Sequence, residues 1–262
     1  MSFDLNSVIH ASETRKPPKI IIYSVHGLGK TTFSATFEKP IIARTEDGAA
    51  ETDTVTFPNL ISTFEDIESV ISALHGDHGY KTLVIDTLDW LEPIVWAGLV
   101  KDQPMTEHGK AISHIDDYGY GKGYVKALDL WRYIMAGFDS LRTEKGMTII
   151  LNAHAEIKRY DSPETDPYDR HSLKLHRLAS ALWQEWADMV LFCNYNVGIK
   201  KADTGFGNTK TRGEGTGKRN IYTEERPAFF AKNRYGLPPK IKIGDDKTWS
   251  KFHEEFNKAK GE

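Results

Sequence analysis

Apolar and polar positions along the chain are grouped in blocks that predict strands and helices in turn. Short apolar runs indicate buried strands at Ile20–Tyr23, Ile41–Ala43, Thr54–Phe57, Thr82–Ile85, Thr148–Leu151 and Met189–Asn194. Between these runs, apolar residues recur every three or four positions, the spacing of one helical face, over Phe64–Leu74, Val125–Leu141 and Leu175–Trp186. Such alternation is typical of a mostly parallel sheet that helices cover on both faces.

The segment after the sixth predicted strand has a different composition. Residues 198–220 hold six glycines and six basic residues but only two acids, Asp203 and Glu214. Since apolar residues are scarce there, the composition predicts a long mobile hairpin loop rather than a helix or a central strand. Beyond this loop we expect strands at Ile221–Lys232 and Lys240–Ile243, followed by an amphipathic helix that carries Trp249, Phe252 and Phe256.

The whole pattern predicts one α/β domain with a C-terminal β-hairpin extension and a terminal helix. Its predicted parts are an N-terminal arm (1–18), a core (19–197), the mobile basic, glycine-rich loop (198–220), and strands and a helix that complete the same domain (221–262). A chain of 262 residues with 39% hydrophobic residues is long enough and apolar enough for a core of this size.

The charge and the cysteine content limit the partners and the cellular compartment that we expect for this protein. The formal net charge of −3 provides no global attraction to nucleic acid, so contact with a polyanion must come from local patches. The single cysteine, Cys193, lies in an apolar stretch, where we interpret it as a small buried hydrophobe. The chain can form no internal disulfide, and it has neither a basic start before an apolar segment nor a long apolar run. We therefore expect a cytoplasmic protein with no membrane partner.

A glycine-containing loop follows the first predicted strand. The nine residues after Ile20–Tyr23 are Ser24, Val25, His26, Gly27, Leu28, Gly29, Lys30, Thr31 and Thr32. In such a loop, backbone N–H groups converge on a β-phosphate, Lys30 bridges the β- and γ-phosphates, and the Thr31 hydroxyl ligates Mg²⁺. Ser24 stands where the usual pattern has glycine. The pattern predicts binding of ATP with Mg²⁺; the alternative is an ordinary strand-to-helix turn.

Three further predicted strands end in residues suited to phosphate chemistry. Asp86 follows an apolar strand and is expected to hold Mg²⁺ through water, although many strands end in Asp simply as a turn. Glu46 is the candidate that orients the attacking water, with Asp47 as the weaker alternative. His154 is placed to hydrogen-bond the γ-phosphate and report its loss; otherwise it is an ordinary polar residue at a strand end.

In this order, the motifs resemble the RecA-type ATPase core over residues 19–243. They look most like the phage ATPases that act as single-strand annealing recombinases, the phage nucleotide-binding proteins. The resemblance implies a RecA-like P-loop NTPase fold, a role for Glu46 on the attacking water, and γ-phosphate sensing by His154, where RecA has Gln. It also implies that Lys232 and Arg234, in the sequence Lys-Asn-Arg, act in trans on the nucleotide of a neighbouring subunit. The partners implied are a homo-oligomeric ring or filament with ATP between subunits, and a single-strand binding protein.

Two segments are candidates for contact with single-stranded DNA. The first interleaves tyrosines with glycine and lysine, which can stack on bases and pair with phosphates: Tyr118, Tyr120, Lys122, Tyr124 and Lys126. A loop packed on its own domain explains that segment equally well. The second is the basic loop with Lys200, Lys201, Lys210, Arg212, Lys218 and Arg219, whose small charge surplus predicts modest, salt-sensitive affinity. The charged segment 155–178 is interpreted as a solvated loop.

The leading hypothesis is therefore a Mg²⁺- and ATP-dependent RecA-like ATPase that binds single-stranded DNA and promotes annealing or recombination in phage DNA metabolism, in the cytoplasm of the host cell. Two alternatives remain open. One is a P-loop kinase that phosphorylates a small molecule or a nucleotide. The other is a DNA-binding module that ATP locks in an oligomer without significant turnover.

Overall fold

The structure, a computed structural model, describes residues 16–48, 53–106, 108–203, 209–243 and 249–261, with the side chains of 197–203 and 209–216 outside the description. The strands are β1 Lys19–Ser24, β2 Pro40–Arg44, β3 Thr82–Asp86, β4 Thr148–Tyr160, β5 Tyr168–Leu173, β6 Met189–Asp203, β7 Thr209–Tyr222, β8 Lys232–Asn233 and β9 Lys240–Ile243. The helices are α1 Lys30–Ser34, α2 Phe64–Ala73, α3 Leu88–Asp102, α4 Lys122–Glu144, α5 Arg177–Trp186 and α6 Ser250–Lys260.

One sheet organises these elements, in the order β2-β3-β4-β1-β6-β7-β9. The first five strands in this order, β2, β3, β4, β1 and β6, are parallel to one another. Strands β7 and β9 extend the sheet as antiparallel strands. The mostly parallel sheet predicted from the alternating pattern is thus confirmed. Because β1 lies between β4 and β6, the loop that leaves β1 emerges at the centre of the carboxyl edge, where α/β sheets bind ligands.

Helices cover both faces of the sheet, which explains the continuous apolar strands. Ile21 and Tyr23 of β1 point into a core shared with helices α2 to α5. Ile20 and Ile22 point into a second core on the other face, shared with α1 and α6. Side chains of one strand alternate between faces, so a strand buried on both sides must be apolar at every position. Cys193 is buried in the second core, as expected from its apolar neighbours.

Two predicted strands are wrong in whole or in part. Thr54–Phe57 forms only an isolated bridge at Thr56, where Val55 and Phe57 exchange backbone hydrogen bonds with Ile42 before Pro58 follows. The predicted strand Ile221–Lys232 ends early, since β7 stops at Tyr222 and only isolated bridges at Phe229 precede the two-residue β8. Pro227 lies between the two and has no N–H to donate to a ladder.

Two predicted loops contain paired strands. Apart from residues 204–208, the glycine-rich segment 198–220, predicted as a hairpin loop, lies in β6 and β7, which pair from Phe192 with Tyr222 as far as Asp203 with Thr209. The segment 155–178 contains the end of β4 and its antiparallel partner β5. An antiparallel ribbon satisfies its backbone hydrogen bonds within itself, so it forms without the apolar residues whose scarcity had predicted a loop.

Both hairpins extend strands that flank β1, so they rise on either side of the loop that follows β1. The part of β6 beyond Tyr195 projects about 26 Å, at roughly 3.3 Å per residue. Within the described residues, none of the helices has the length and apolar character needed to cross a bilayer.

Candidate nucleotide-binding site

The loop between β1 and α1 has the backbone of a phosphate-binding loop. Gly27 and Gly29 have φ values of 72° and 99°, in the left-handed region that favours glycine. Ser24 is the last residue of β1, is buried, and its Oγ donates to the Val25 carbonyl at 2.8 Å. A strand residue needs no left-handed φ, so serine is compatible with the first turn of this loop.

The loop lines a cavity of about 360 Å³ together with residues from three strand ends. Lys30, Thr31 and Thr32 come from the loop and α1. Glu46 follows β2, Asp86 ends β3, and His154 lies in β4 level with the end of β1. Lys30 is only 7% exposed. Burial lowers the pKa of Lys30, although the nearby Asp86, Asp89 and Glu46 carboxylates oppose this effect. A partly desolvated ammonium group attracts an anion more strongly than one in water does.

Thr31 and Asp86 form the pair suited to a divalent cation. Thr31 Oγ1 donates to Asp86 Oδ2 at 2.6 Å. The other carboxylate oxygen of Asp86 accepts from Asn152 Nδ2 at 3.1 Å, and Asn152 Oδ1 in turn accepts from Ser34 Oγ at 2.7 Å. This chain of hydrogen bonds holds a buried carboxylate beside a hydroxyl, and Mg²⁺ prefers such hard oxygen ligands.

The segment that carries Glu46 is attached to the end of β3. Thr45 N donates to the Asp86 carbonyl at 2.8 Å. The Thr45 hydroxyl donates to the Thr87 carbonyl and accepts from Thr87 N, both at 2.7 Å. These three bonds hold the turn after β2 against the strand that bears Asp86. Burial raises the pKa of Glu46, and the neighbouring His154 opposes the shift.

His154 connects Glu46 to a third carboxylate, Asp89, in the first turn of α3. The backbone N–H of His154 donates to Asp89 Oδ1 at 2.9 Å, and its ring Nδ1 lies 2.9 Å from Asp89 Oδ2. Burial of Asp89 opposes its ionisation, but the hydrogen bonds from His154 outweigh this and lower the pKa of Asp89. An ionised carboxylate only accepts, so Nδ1 carries a proton and Nε2 faces Glu46, whose Oε1 is 3.9 Å away.

His26 of the phosphate loop stacks on the ring of His154, with 4.0 Å between ring centroids. Proximity to His154 lowers the pKa of His26, and burial and Lys30 add to the effect. At neutral pH His26 is therefore an uncharged ring that covers one face of His154.

A family model described as an AAA domain matches residues 16–235, most of the chain. The chain belongs to the AAA domain family. Together with the strand order, this membership confirms the α/β RecA-like P-loop ATPase fold that the motifs predicted, and it implies nucleotide binding. The sequence matches none of the curated proteins. Among solved structures, the chain is similar to the crystal structure of the RadB recombinase, with 12% identity, 87% of this chain and 89% of that chain covered, and a TM-score of 0.45.

In this AAA domain, the residues expected to act in trans lie away from the phosphate loop of their own chain. Lys232 pairs with Val190, near the amino end of β6. Its Nζ donates to the carbonyls of Gln184 at 2.9 Å and Ala187 at 2.8 Å, so it caps the end of α5. Arg234 is 58% exposed and lies 3.6 Å from Asp188. Of the two, Arg234 has the more accessible charge.

The tyrosines proposed for DNA contact divide into two groups. Tyr118 donates through its hydroxyl to the Gln103 carbonyl at 2.8 Å, and Tyr124 donates to Asp116 at 2.8 Å. The Tyr124 ring also stacks on His176 at 4.0 Å. Tyr120, in contrast, is fully exposed. Two of the three rings are thus packed within their own domain, and Tyr120 is the ring open to a base.

Their lysine neighbours and the basic hairpin are placed as follows. Lys122 is the first residue of α4, and Lys126 donates to Gln103 Oε1 at 2.9 Å. The side chains of Lys200, Lys201, Lys210 and Arg212 lie outside the description, and Lys218 is exposed. Arg219 is not on the projecting part of the hairpin: an ideal Cβ on Gly29 would lie 3.0 Å from its Nη1. The structure therefore brings Arg219 to the phosphate loop.

Sequence reasoning did not find Asp89, Asn152, Ser34, Thr45 and Tyr195, all of which contact the predicted site residues or the loop. The only available signal was a polar residue inside an apolar strand, as at Asn152 in Ile149–Ala153. The others become visible only once strand order and register are known.

Proposed function

We propose that this AAA domain hydrolyses ATP with Mg²⁺, binds single-stranded DNA and promotes annealing of complementary strands. The observation that carries the ATPase part is the convergence of Glu46, Asp86 and His154 on the cavity of the phosphate loop. A turn that merely resembled a phosphate loop would not need a desolvated lysine, a hydroxyl–carboxylate pair and a histidine held by a second carboxylate.

Each residue has a role that follows from its position. Lys30 binds the phosphates, and the backbone of Gly27 and Gly29 follows their contour. Glu46 accepts a proton from the attacking water or orients it, which its raised pKa favours near neutral pH. Asp89 accepts from His154 Nδ1 and so fixes the orientation of the ring, which lines the cavity on the side proposed for the γ-phosphate.

The donor set fits a magnesium ion. Thr31 would supply a direct hydroxyl ligand, and Asp86 would hold the ion through water, as in other phosphate-loop proteins. A bound Mg²⁺ would neutralise part of the phosphate charge during transfer. Within the described residues there is no cluster of three or more His, Cys, Asp or Glu side chains that could hold a metal by itself. A cation at this site therefore depends on the nucleotide for further ligands.

The DNA-binding part is supported by the basic composition of the β6–β7 hairpin and by the exposed ring of Tyr120. A ribbon with six basic residues tracks a phosphate backbone, and an exposed aromatic ring stacks on bases of any sequence. We further propose a ring or filament in which Arg234 of one copy completes the nucleotide site of the next. A phage origin and a single-strand binding protein as partner belong to the same proposal.

The test is ATP hydrolysis by the purified protein with and without a single-stranded oligonucleotide, at low and moderate salt. We expect hydrolysis to increase with the oligonucleotide and this increase to fade with salt, because phosphate contacts weaken as salt rises. Hydrolysis that ignores DNA but responds to a nucleoside or another phosphate acceptor would support a kinase instead. Binding of ATP and DNA without turnover would support the ATP-locked module.

A further inference from the structure

Two residues at the base of the β6–β7 hairpin contact the phosphate loop. Tyr195 of β6 and Arg219 of β7 are directly paired across the ladder. The Tyr195 hydroxyl donates to the Gly27 carbonyl at 3.0 Å, and the Arg219 guanidinium lies against Gly29. Immediately beyond this pair, the register shifts between Tyr195 and Val197, and the hairpin continues past the sheet. The root of the hairpin is therefore attached to the loop at both glycines.

The strand order determines which end of a nucleotide meets this pair. Glu46 follows β2, and Asp86 and His154 belong to β3 and β4; all three strands lie on one side of β1. Strands β6 and β7 lie on the other side. A nucleotide whose γ-phosphate meets the first group must extend its α-phosphate and nucleoside towards Tyr195 and Arg219.

The Arg219 guanidinium has no acidic partner among the described residues. Within the same part of the chain, its buried Nε has no hydrogen-bond partner. The guanidinium carbon lies 5.8 Å from the ring centroid of Trp249, which stacks on Phe33 of α1 at 4.4 Å. The aromatic surface holds the guanidinium beside Gly29, where a substituent on that glycine would collide with it. A pre-positioned cation with an unused donor is suited to an anion.

We propose that Arg219 binds the α- and β-phosphates of a nucleotide held by its own chain, and that the Tyr195–Arg219 pair transmits occupancy of the site to the β6–β7 hairpin. The proposal rests on the nucleotide binding put forward above. It removes Arg219 from the DNA-binding set and makes it a nucleotide-binding residue. Because the pair lies at the root of a long ribbon, a small movement there displaces the distant part of the two strands, which carries Lys200, Lys201, Lys210 and Arg212, by a larger distance.

The first experiment measures the affinity of ATP and ADP in the absence of DNA, by equilibrium titration with fluorescent analogues. Arg219→Gln should weaken both nucleotides by about tenfold, since a charge-assisted bond to each is lost. Arg219→Lys should recover much of the affinity and also shows that the position tolerates substitution. Lys242→Gln, at an exposed lysine of the neighbouring strand β9, is the matched control and should bind both nucleotides normally. A loss confined to ATP would indicate a γ-phosphate contact and overturn the assignment.

The second experiment follows hydrogen–deuterium exchange of the β6 and β7 amides with and without ATP. In the wild type, ATP should slow exchange in the hairpin. Tyr195→Phe, which removes the bond to Gly27, should still bind ATP but lose at least half of this protection. A hairpin that responds identically in both proteins would overturn the coupling.

Failure of the inference is distinguishable from failure of the proposed function. If Lys30→Ala abolishes nucleotide binding and Arg219→Gln binds as well as the wild type does, nucleotide binding stands and the role of Arg219 is wrong. If the wild type binds no nucleotide, both are wrong.

Discussion

The two sides of the phosphate loop differ in how completely hydrogen bonds connect their side chains. On the side of β3 and β4, Asp86, Asn152 and His154 are buried, and each makes hydrogen bonds to a neighbouring side chain. On the side of β6 and β7, Tyr195 makes one hydrogen bond to the loop, and Arg219 Nε has no hydrogen-bond partner among the described residues. A fully connected buried network has one low-energy arrangement, whereas a sparsely bonded contact adjusts when a ligand arrives. The β3–β4 side is therefore suited to hold the residues of ATP hydrolysis in place, and the β6–β7 side is suited to change conformation when a nucleotide binds.

The largest expected effect comes from removing the candidate base on the connected side. Glu46→Gln should lower kcat for ATP hydrolysis by about 100-fold or more, because a positioned base contributes that much. The affinity for ATP should stay nearly unchanged. The measurement is steady-state turnover together with a separate binding titration. Asp47→Asn is the matched control, since the Asp47 side chain is 79% exposed and should matter little.

The pH profile sharpens the same assignment. Burial raises the pKa of Glu46 above its ordinary value of 4.5, and a base must be ionised to act. Turnover should therefore rise with pH along a limb that lies above pH 4.5, and this limb should be missing from the residual activity of Glu46→Gln. A profile shared by both proteins would assign the base to another residue.

A smaller effect is expected from the residue that orients His154. Asp89→Asn retains the shape but presents an amide where Nδ1 now donates, which favours the opposite tautomer of the histidine. We expect kcat to fall by roughly ten- to 100-fold, less than on removal of the base itself, because the ring loses the partner that fixes its orientation. The substitution should add little to His154→Ala, because residues that act as a unit are not additive. Asp102→Asn, exposed at the far end of α3, serves as the control.

Much of this arrangement could be predicted from residue patterns, and the reasons are specific. β1 and β3 have continuous apolar runs, Ile20–Tyr23 and Leu83–Ile85, because the sheet is buried on both faces, so their ends could be located and Asp86 recognised. The phosphate loop carries its function in consecutive residues. Glu46, in the turn after β2, and His154, within β4, line the same cavity, as we predicted from the order of the motifs.

The missed residues depend on contacts between distant segments. Asn152 reaches Asp86 only because the two are register partners on β4 and β3. Asp89 lies on α3, a helix that was not predicted and that contains Pro93. Arg219 appeared to belong to a basic patch because composition cannot show which residues of a ribbon lie at its root. The paired strands of both hairpins were missed because hydrogen bonding between backbone groups does not require apolar side chains.

The last effect concerns stability and tests whether burying carboxylates on the β3–β4 side lowers the free energy of unfolding. Glu92, one turn after Asp89, is buried and accepts from His176 N at 2.9 Å. Burial raises the pKa of Glu92 to about 7; the His176 N–H and Lys158 oppose the shift, while Glu156 and Asp89 reinforce it. A folded-state pKa above the unfolded value means that the folded protein holds the proton more tightly, so this contribution to stability is lost as pH rises from about 4.5 to about 7.

Glu92→Gln does not titrate and should therefore gain on the wild type as pH rises. We expect similar free energies of unfolding near pH 5, and an advantage of about 2–3 kcal/mol for the variant near pH 8. Urea unfolding at the two pH values measures the difference. An advantage that is independent of pH would mean that Glu92 is not destabilised by its charge.

The most direct test of the account is ATP binding and hydrolysis by Lys30→Ala beside Lys81→Ala. Lys30 lines the cavity of the phosphate loop, whereas Lys81 is exposed and precedes β3 at the opposite edge of the sheet. We predict that Lys30→Ala keeps its fold by thermal melting but loses turnover and at least tenfold in ATP affinity, while Lys81→Ala matches the wild type. Unchanged hydrolysis in Lys30→Ala would contradict the assignment of this loop as the nucleotide site.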